Sequence, residues 1–106
     1  LDGSGVITAI IDSSVDYRHP DFMTEEGKTR IIELYDENTG RVYSEDDINA
    51  AIDGDLSRVP VEDVSGHGTH VAGIAAGNGM ASNGRYRGVA YKSRLLIVKL
   101  GNDGSA

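Results

Sequence analysis

Two histidines lie close together among small residues and could carry acid–base chemistry. The segment 63–73 has the sequence DVSGHGTHVAG, which contains His67 and His70. Apolar residues recur at helical spacing from His67 onward, and this pattern predicts a helix that begins near His67 and ends near Gly77. The dipole at a helix N-terminus disfavours an imidazolium ion, so the His67 ring is expected to be a neutral, proton-accepting base.

A short apolar run that ends in a carboxylate supplies a second group of interest. Residues 6–12 have the sequence VITAIID, which is typical of a strand buried on both faces in a parallel sheet. A second apolar strand is predicted over 94–100, and the strand–helix–strand order favours a parallel crossover. Sites in open α/β sheets form at the carboxyl ends of the strands. We therefore expect Asp12 near the start of the His67 helix.

The residues between the first strand and the His67 helix form an excursion with elements of its own. The predicted elements are a strand over 29–35, a turn over 36–40, a hairpin arm over 41–43 and a helix over 45–52. Ser44 is a suitable N-cap for that helix, whose first turn is acidic. The glycine- and asparagine-rich segment 78–88 is predicted to be a loop.

Composition narrows the classes of function. The chain has 106 residues and a formal net charge of −7, which argues against a nucleic-acid partner. No apolar run approaches the length of a membrane span, and there is no cysteine for a disulfide or a thiolate site. The glycines at 3 and 5 precede the first strand, whereas a dinucleotide-binding fingerprint places its glycines after the strand.

Two apolar parallel strands make a poor complete sheet, because buried strands need neighbours on both sides. We therefore expect the sequence, which begins at Leu1 without methionine, to be part of a larger α/β domain. Unpaired strand edges and uncovered apolar faces favour association with another copy. The chain on its own is accordingly expected to self-associate.

Taken together, these motifs resemble the subtilisin-like serine proteases, the subtilases. The segment 3–21, which contains Asp12, is similar to the aspartate region of the family, and the segment 63–73 is similar to its histidine region. The segments 88–90 and 95–100 resemble the part that follows, so the resemblance spans nearly the whole chain in the family's order. Two further segments, 27–31 and 43–52, look more like a bacterial branch that includes clostridial spore-germination proteases.

The resemblance implies a parallel-sheet subtilisin-like fold of which residues 1–106 form the N-terminal part, and serine endopeptidase activity in the parent protein. By this resemblance Asp12 is the orienting aspartate and His67 is the general base of an Asp–His–Ser triad. Gly104 and Ser105 lie in a segment similar to the strand that pairs with the substrate backbone. The implied partner is a polypeptide, no cofactor is required, and the implied location is secreted or spore-associated.

Three features depart from the pattern of the family. Ser14 stands where the family usually has glycine, and a position that needs positive φ would then be strained and could shift Asp12. Tyr91 stands where a proline is usual. The family's nucleophilic serine lies in a Gly-Thr-Ser-Met-Ala motif, which this sequence lacks. The chain alone is therefore expected to be inactive.

Three other interpretations stay open at this point. A subtilase-like pseudoprotease that acts by binding or regulation is compatible with Ser14 and with the missing serine motif. A metal site formed by His67, His70 and Asp12 is less favoured, because helical zinc pairs are usually four residues apart with a glutamate between them. Structural calcium could bind in the loop 78–84, as in relatives of the family, although that loop contains no carboxylate.

Overall fold

A mixed sheet forms the framework of the part of the chain that the structure describes. The computed structural model describes residues 2–12, 15–61, 67–79, 88 and 90–100. The elements in chain order are β1 (Ile7–Asp12), a 3₁₀ turn (Pro20–Phe22), β2 (Ile31–Asp36), β3 (Arg41–Ser44), α1 (Glu45–Ile52), a second 3₁₀ turn (Leu56–Arg58), α2 (His67–Ala76) and β4 (Arg94–Lys99). The sequence predicts the strands and α-helices to within a few residues, but it predicts neither of the two 3₁₀ turns.

The topology of the sheet brings three strand ends together. The strand order is β1–β4–β2–β3, and β4 runs parallel to both of its neighbours. β3 pairs antiparallel with β2 and forms the predicted hairpin. Because parallel strands point the same way, the carboxyl ends of β1, β4 and β2 meet at one edge of the sheet, which we call the carboxyl edge.

The hairpin leads directly into α1, and a capping box starts this helix. The amide N–H of Asp47 donates to the Ser44 hydroxyl at 3.2 Å, and the amide N–H of Ser44 donates to the Asp47 carboxylate at 3.0 Å. The hydrogen bond from Arg58, together with those from Ser44, holds the pKa of Asp47 below its usual value. The predicted N-cap at Ser44 is confirmed.

The hydrophobic core lies on one face of the sheet. Ile10, Leu34 and Ile97 belong to this face and are at most 6% exposed, in one cluster with residues of α1 and α2. Ile7 and Ile11 occupy the alternate positions of β1 and are 57% and 62% exposed. The sequence-based prediction that β1 is buried on both faces is wrong for this chain, because α1 and α2 pack on the same side of the sheet.

Small residues allow α2 to lie close to its neighbours. The helix packs against β1, and its residues Ala72 and Ala76 are completely buried. Gly88 passes so near that a Cβ atom there would lie 2.4 Å from the carbonyl oxygen of Gly73 and 2.7 Å from the amide nitrogen of Ala76. The position of the helix therefore depends on the absence of a side chain at Gly88.

A buried arginine joins three chain segments at the opposite, amino edge of the sheet. Arg30 is 5% exposed, and its Nε and Nη2 donate to the carbonyl oxygen of Ser93 at 3.1 and 2.8 Å. Its Nη1 donates at 2.9 Å to the carbonyl oxygen of Asp21, which also accepts the amide N–H of Asn78 at 3.0 Å. Burial lowers the pKa of Arg30. These bonds hold Asn78, which lies two residues beyond the C-terminal end of α2, against the first 3₁₀ turn.

Substitutions of Gly88 and Gly73 by alanine are predicted to have opposite effects on the stability of the fold. Gly88→Ala should destabilise the fold by about 1–3 kcal/mol or more, because its methyl group would meet backbone atoms. Gly73→Ala is the matched control, since no heavy atom lies within 4 Å of the added Cβ. It should stabilise the fold by roughly 0.5–1 kcal/mol through better helix propensity. Chemical denaturation at one protein concentration measures both, and a Gly88→Ala chain as stable as the wild type would contradict this packing.

We propose that the uncovered sheet face makes this chain self-associate. β1 is an edge strand among the strands that the structure describes, and exposed isoleucines on such a strand favour contact with a second copy. Size-exclusion chromatography with light scattering should show a dimer or larger species for the wild type. Replacing both Ile7 and Ile11 with threonine should lower the measured molar mass of the associated species. Ile74→Thr, at a 60% exposed position on α2, should leave that molar mass unchanged. A stable wild-type monomer with a cooperative melt would refute the proposal.

Candidate active site

Asp12 and the beginning of α2 lie at the carboxyl edge of the sheet. Asp12 is the last residue of β1 and occupies the same strand face as the buried Ile10, which is the face that α2 covers. His67 is the first residue of α2. The backbone thus places both residues where the sequence predicts them. The side chains of His67 and His70 lie outside the described part of the structure, so a hydrogen bond between Asp12 and His67 stays a prediction.

One hydrogen bond connects the first turn of α2 to the segment that follows β1. The amide N–H of Asp16 donates to the Oγ1 atom of Thr69 at 2.7 Å. Asp16 lies shortly after Asp12 in the chain, and Thr69 lies in the same helical turn as His67. This contact gives direct support for the proximity of the two segments. The sequence does not predict this contact, because the two residues are far apart along the chain.

Charged residues from neighbouring strands form a row across the carboxyl edge. Lys99 of β4 pairs in register with Asp12 on one side and with Asp36 on the other. Asp36 in turn pairs with Arg41 of β3. Register partners project to the same face of a sheet, so the charges along this row alternate in sign. A cation between two carboxylates offsets their mutual repulsion. The sequence predicts the parallel crossover from β1 to β4 and the β2–β3 hairpin, but it does not predict the pairing of β2 with β4 or the register that creates the row.

An open cavity of about 760 Å³ lies beside this charged row. Lys99 and Asp36 line it together with Tyr17 and the segment 59–61. The Tyr17 hydroxyl donates to the carbonyl oxygen of Val59 at 2.7 Å, and burial raises the pKa of this phenol. Tyr17 therefore forms a fixed, neutral wall of the cavity at physiological pH.

Several residues of interest lie outside the described part of the chain. These are Gly104 and Ser105, which were predicted to bind substrate, and Ser14. Within the loop 78–84, the structure describes Asn78 and Gly79 alone. Among the described residues, no group of three or more His, Cys, Asp or Glu side chains is placed to hold a metal ion. No helix in that same part of the chain is both long and apolar enough to cross a bilayer.

Comparison with known proteins defines the family. The family model of the subtilases, peptidase S8, matches residues 3–106. The chain belongs to the subtilase family. The serine protease AprX of Bacillus subtilis is 36% identical over 102 residues, which cover 96% of this chain and 18% of AprX. The major intracellular serine protease of the same organism is 36% identical over 105 residues, which cover 97% of this chain and 27% of that protein.

A solved structure supports the same assignment. The CspB protease of Clostridium perfringens superposes with a TM-score of 0.86 and 44% sequence identity, over 93% of this chain and 21% of that one. The predicted α/β fold and the predicted resemblance to subtilases, including a clostridial protease, are confirmed. The chain spans about a fifth of the CspB protease and between 18% and 27% of the two Bacillus relatives.

Proposed function

We propose that the protein to which this chain belongs is a serine endopeptidase, and that Asp12 and His67 are two members of its catalytic triad. The observation that carries the proposal is the hydrogen bond that joins the first turn of α2, which begins with His67, to the segment that follows Asp12. The proposal is also supported by the family, because the two Bacillus subtilis relatives compared above are named as serine proteases. The third member, a serine, has no recognisable motif in these 106 residues.

The proposed mechanism assigns one proton-transfer role to each residue. His67 takes the proton of the serine hydroxyl while the serine oxygen attacks the scissile carbonyl carbon. The imidazolium then gives that proton to the departing amine as the peptide bond breaks, and a water molecule releases the acyl group by the reverse sequence. Asp12 accepts a hydrogen bond from the other ring nitrogen, which fixes the tautomer and stabilises the transient imidazolium.

The proposed substrate is a polypeptide, bound by main-chain pairing as well as by its side chains. Gly104 and Ser105 are proposed to pair with the substrate backbone as an added strand. Acyl transfer through an Asp–His–Ser triad needs no cofactor. Calcium bound near the loop 78–84 would have a structural role, since that loop offers carbonyl and amide oxygens but no carboxylate.

Substitution of either residue in the complete protein tests this assignment. His67→Ala should lower kcat by at least about ten-thousand-fold, because the serine loses its base. Asp12→Asn should lower kcat by about ten-thousand-fold through the wrong histidine tautomer. Turnover of a fluorogenic peptide provides the measurement, and circular dichroism checks that both variants are folded.

Matched controls come from the same residue types elsewhere in the described chain. His19 caps the first 3₁₀ turn, and Asp53 lies after α1. His19→Ala and Asp53→Asn should keep kcat within a few-fold of the wild type. Near-normal turnover by His67→Ala or Asp12→Asn would show that the protein uses another mechanism.

The 106-residue chain alone should not hydrolyse peptides. Without the nucleophile, a triad retains only the small acceleration that substrate binding and the oxyanion hole provide. The same fluorogenic assay should give the buffer rate for the isolated chain. Turnover that a serine-directed phosphonate inhibitor abolishes would show that a nucleophile lies within these residues.

Ser14 favours one alternative function, that of a pseudoprotease that binds polypeptides without cleaving them. Ser14 stands where the family usually has glycine, and a serine there would strain the backbone two residues after Asp12 if the position needs positive φ. A fluorophosphonate probe separates the two functions in the complete protein. Labelling that depends on His67 supports the endopeptidase, whereas binding of a polypeptide without labelling supports the pseudoprotease.

A further inference from the structure

Thr69 links the first turn of α2 to the segment after β1. Its Oγ1 atom accepts the amide N–H of Asp16 at 2.7 Å, across a sequence separation of 53 residues. A hydroxyl that accepts a backbone amide over this sequence separation constrains the relative position of two segments that lie far apart along the chain. One of these segments follows Asp12, and the other contains His67.

The donor belongs to a well-packed turn. Val15 and Tyr17, on either side of Asp16, are 0% and 3% exposed. The Asp16 carbonyl oxygen accepts the amide N–H of His19 at 3.0 Å, which closes the turn. Thr69 is therefore bonded to a point of the backbone that is held in place by its own neighbours.

The opposite end of α2 is held independently of Thr69. The amide N–H of Asn78 donates to the Asp21 carbonyl at 3.0 Å, and the amide N–H of Ala90 donates to the Ala75 carbonyl at 2.7 Å. With that end held, the contact at Thr69 constrains the first turn of the helix relative to the segment that follows β1.

We propose that Thr69 is a positioning residue that sets the distance between Asp12 and His67. This inference rests on the proposed function, and it assigns Thr69 no contact with the reacting atoms. A misplacement of about 1 Å can lower a catalytic rate by about a hundred-fold. Loss of the hydroxyl should therefore reduce kcat while substrate binding is retained.

Three variants of the complete protein separate positioning from general stability. Thr69→Val keeps the shape of the side chain and removes the acceptor, whereas Thr69→Ser keeps the hydroxyl. Thr24→Val is the matched control, because Thr24 also accepts a backbone amide, that of Lys28 at 3.3 Å, away from α2. Thr69→Val should lower kcat by about 10- to 100-fold with KM within two-fold, and Thr69→Ser and Thr24→Val should stay within about three-fold of the wild type. Equal kcat for Thr69→Val and the wild type, or equal losses in Thr69→Val and Thr69→Ser, would overturn the proposal.

A second measurement on the chain itself does not depend on activity. In ¹H–¹⁵N spectra, Thr69→Val should lose the protection of the Asp16 amide from hydrogen exchange and should shift the His67 ring resonances. Thr69→Ser should restore both, and Thr24→Val should change neither. Unchanged exchange and unchanged His67 resonances in Thr69→Val would refute the positioning role. If His67→Ala leaves turnover intact, the proposed function fails, and these spectra still decide whether Thr69 positions His67.

Discussion

The separation between α2 and β1 is the constraint on which the candidate site depends, because α2 begins with His67 and β1 ends with Asp12. The distance between packed elements follows from the size of the side chains at the contact. Ala72 and Ala76 are buried in this helix, and Gly88 passes against its backbone. Small residues thus allow the close approach, but they do not fix the position of the helix along its axis.

Polar contacts at the two ends of α2 supply that remaining constraint. Thr69 holds the first turn, and Asn78 holds the end through the Asp21 carbonyl, which also accepts a hydrogen bond from Arg30. Hydrogen bonds to a charged group contribute about 1.5–3 kcal/mol each, so the carbonyl partners of Arg30 offset much of the cost of burying its charge. The planar guanidinium reaches two carbonyls at once, Asp21 and Ser93, which a lysine in its place could not reproduce.

The elements that the sequence predicts are those marked by interactions between residues close together in the chain. Apolar periodicity located β1, α2 and β4, and the cap at Ser44 located α1, because each of these features depends on neighbours in the chain. Asp12 and His67 were found from their positions at the end and at the start of such elements. The partner of Thr69 was not found, although Thr69 lies in the same motif as His67, since Asp16 is 53 residues away. The exposed face of β1 was also missed, because burial depends on which side of the sheet the helices occupy.

The register of the sheet explains how the carboxyl edge can hold two acidic residues on one face in an acidic chain of net charge −7. Lys99 lies between Asp12 and Asp36 in the pairing of three parallel strands. Register partners lie on one face of the sheet, so the positive charge of Lys99 separates the two carboxylates and offsets their mutual repulsion. The proposed triad needs Asp12 as an anion, since only a carboxylate both accepts the histidine N–H and stabilises the imidazolium. Lys99 is the register partner of Asp12, so strand pairing places a positive charge on the same face of the sheet as the carboxylate of the proposed triad.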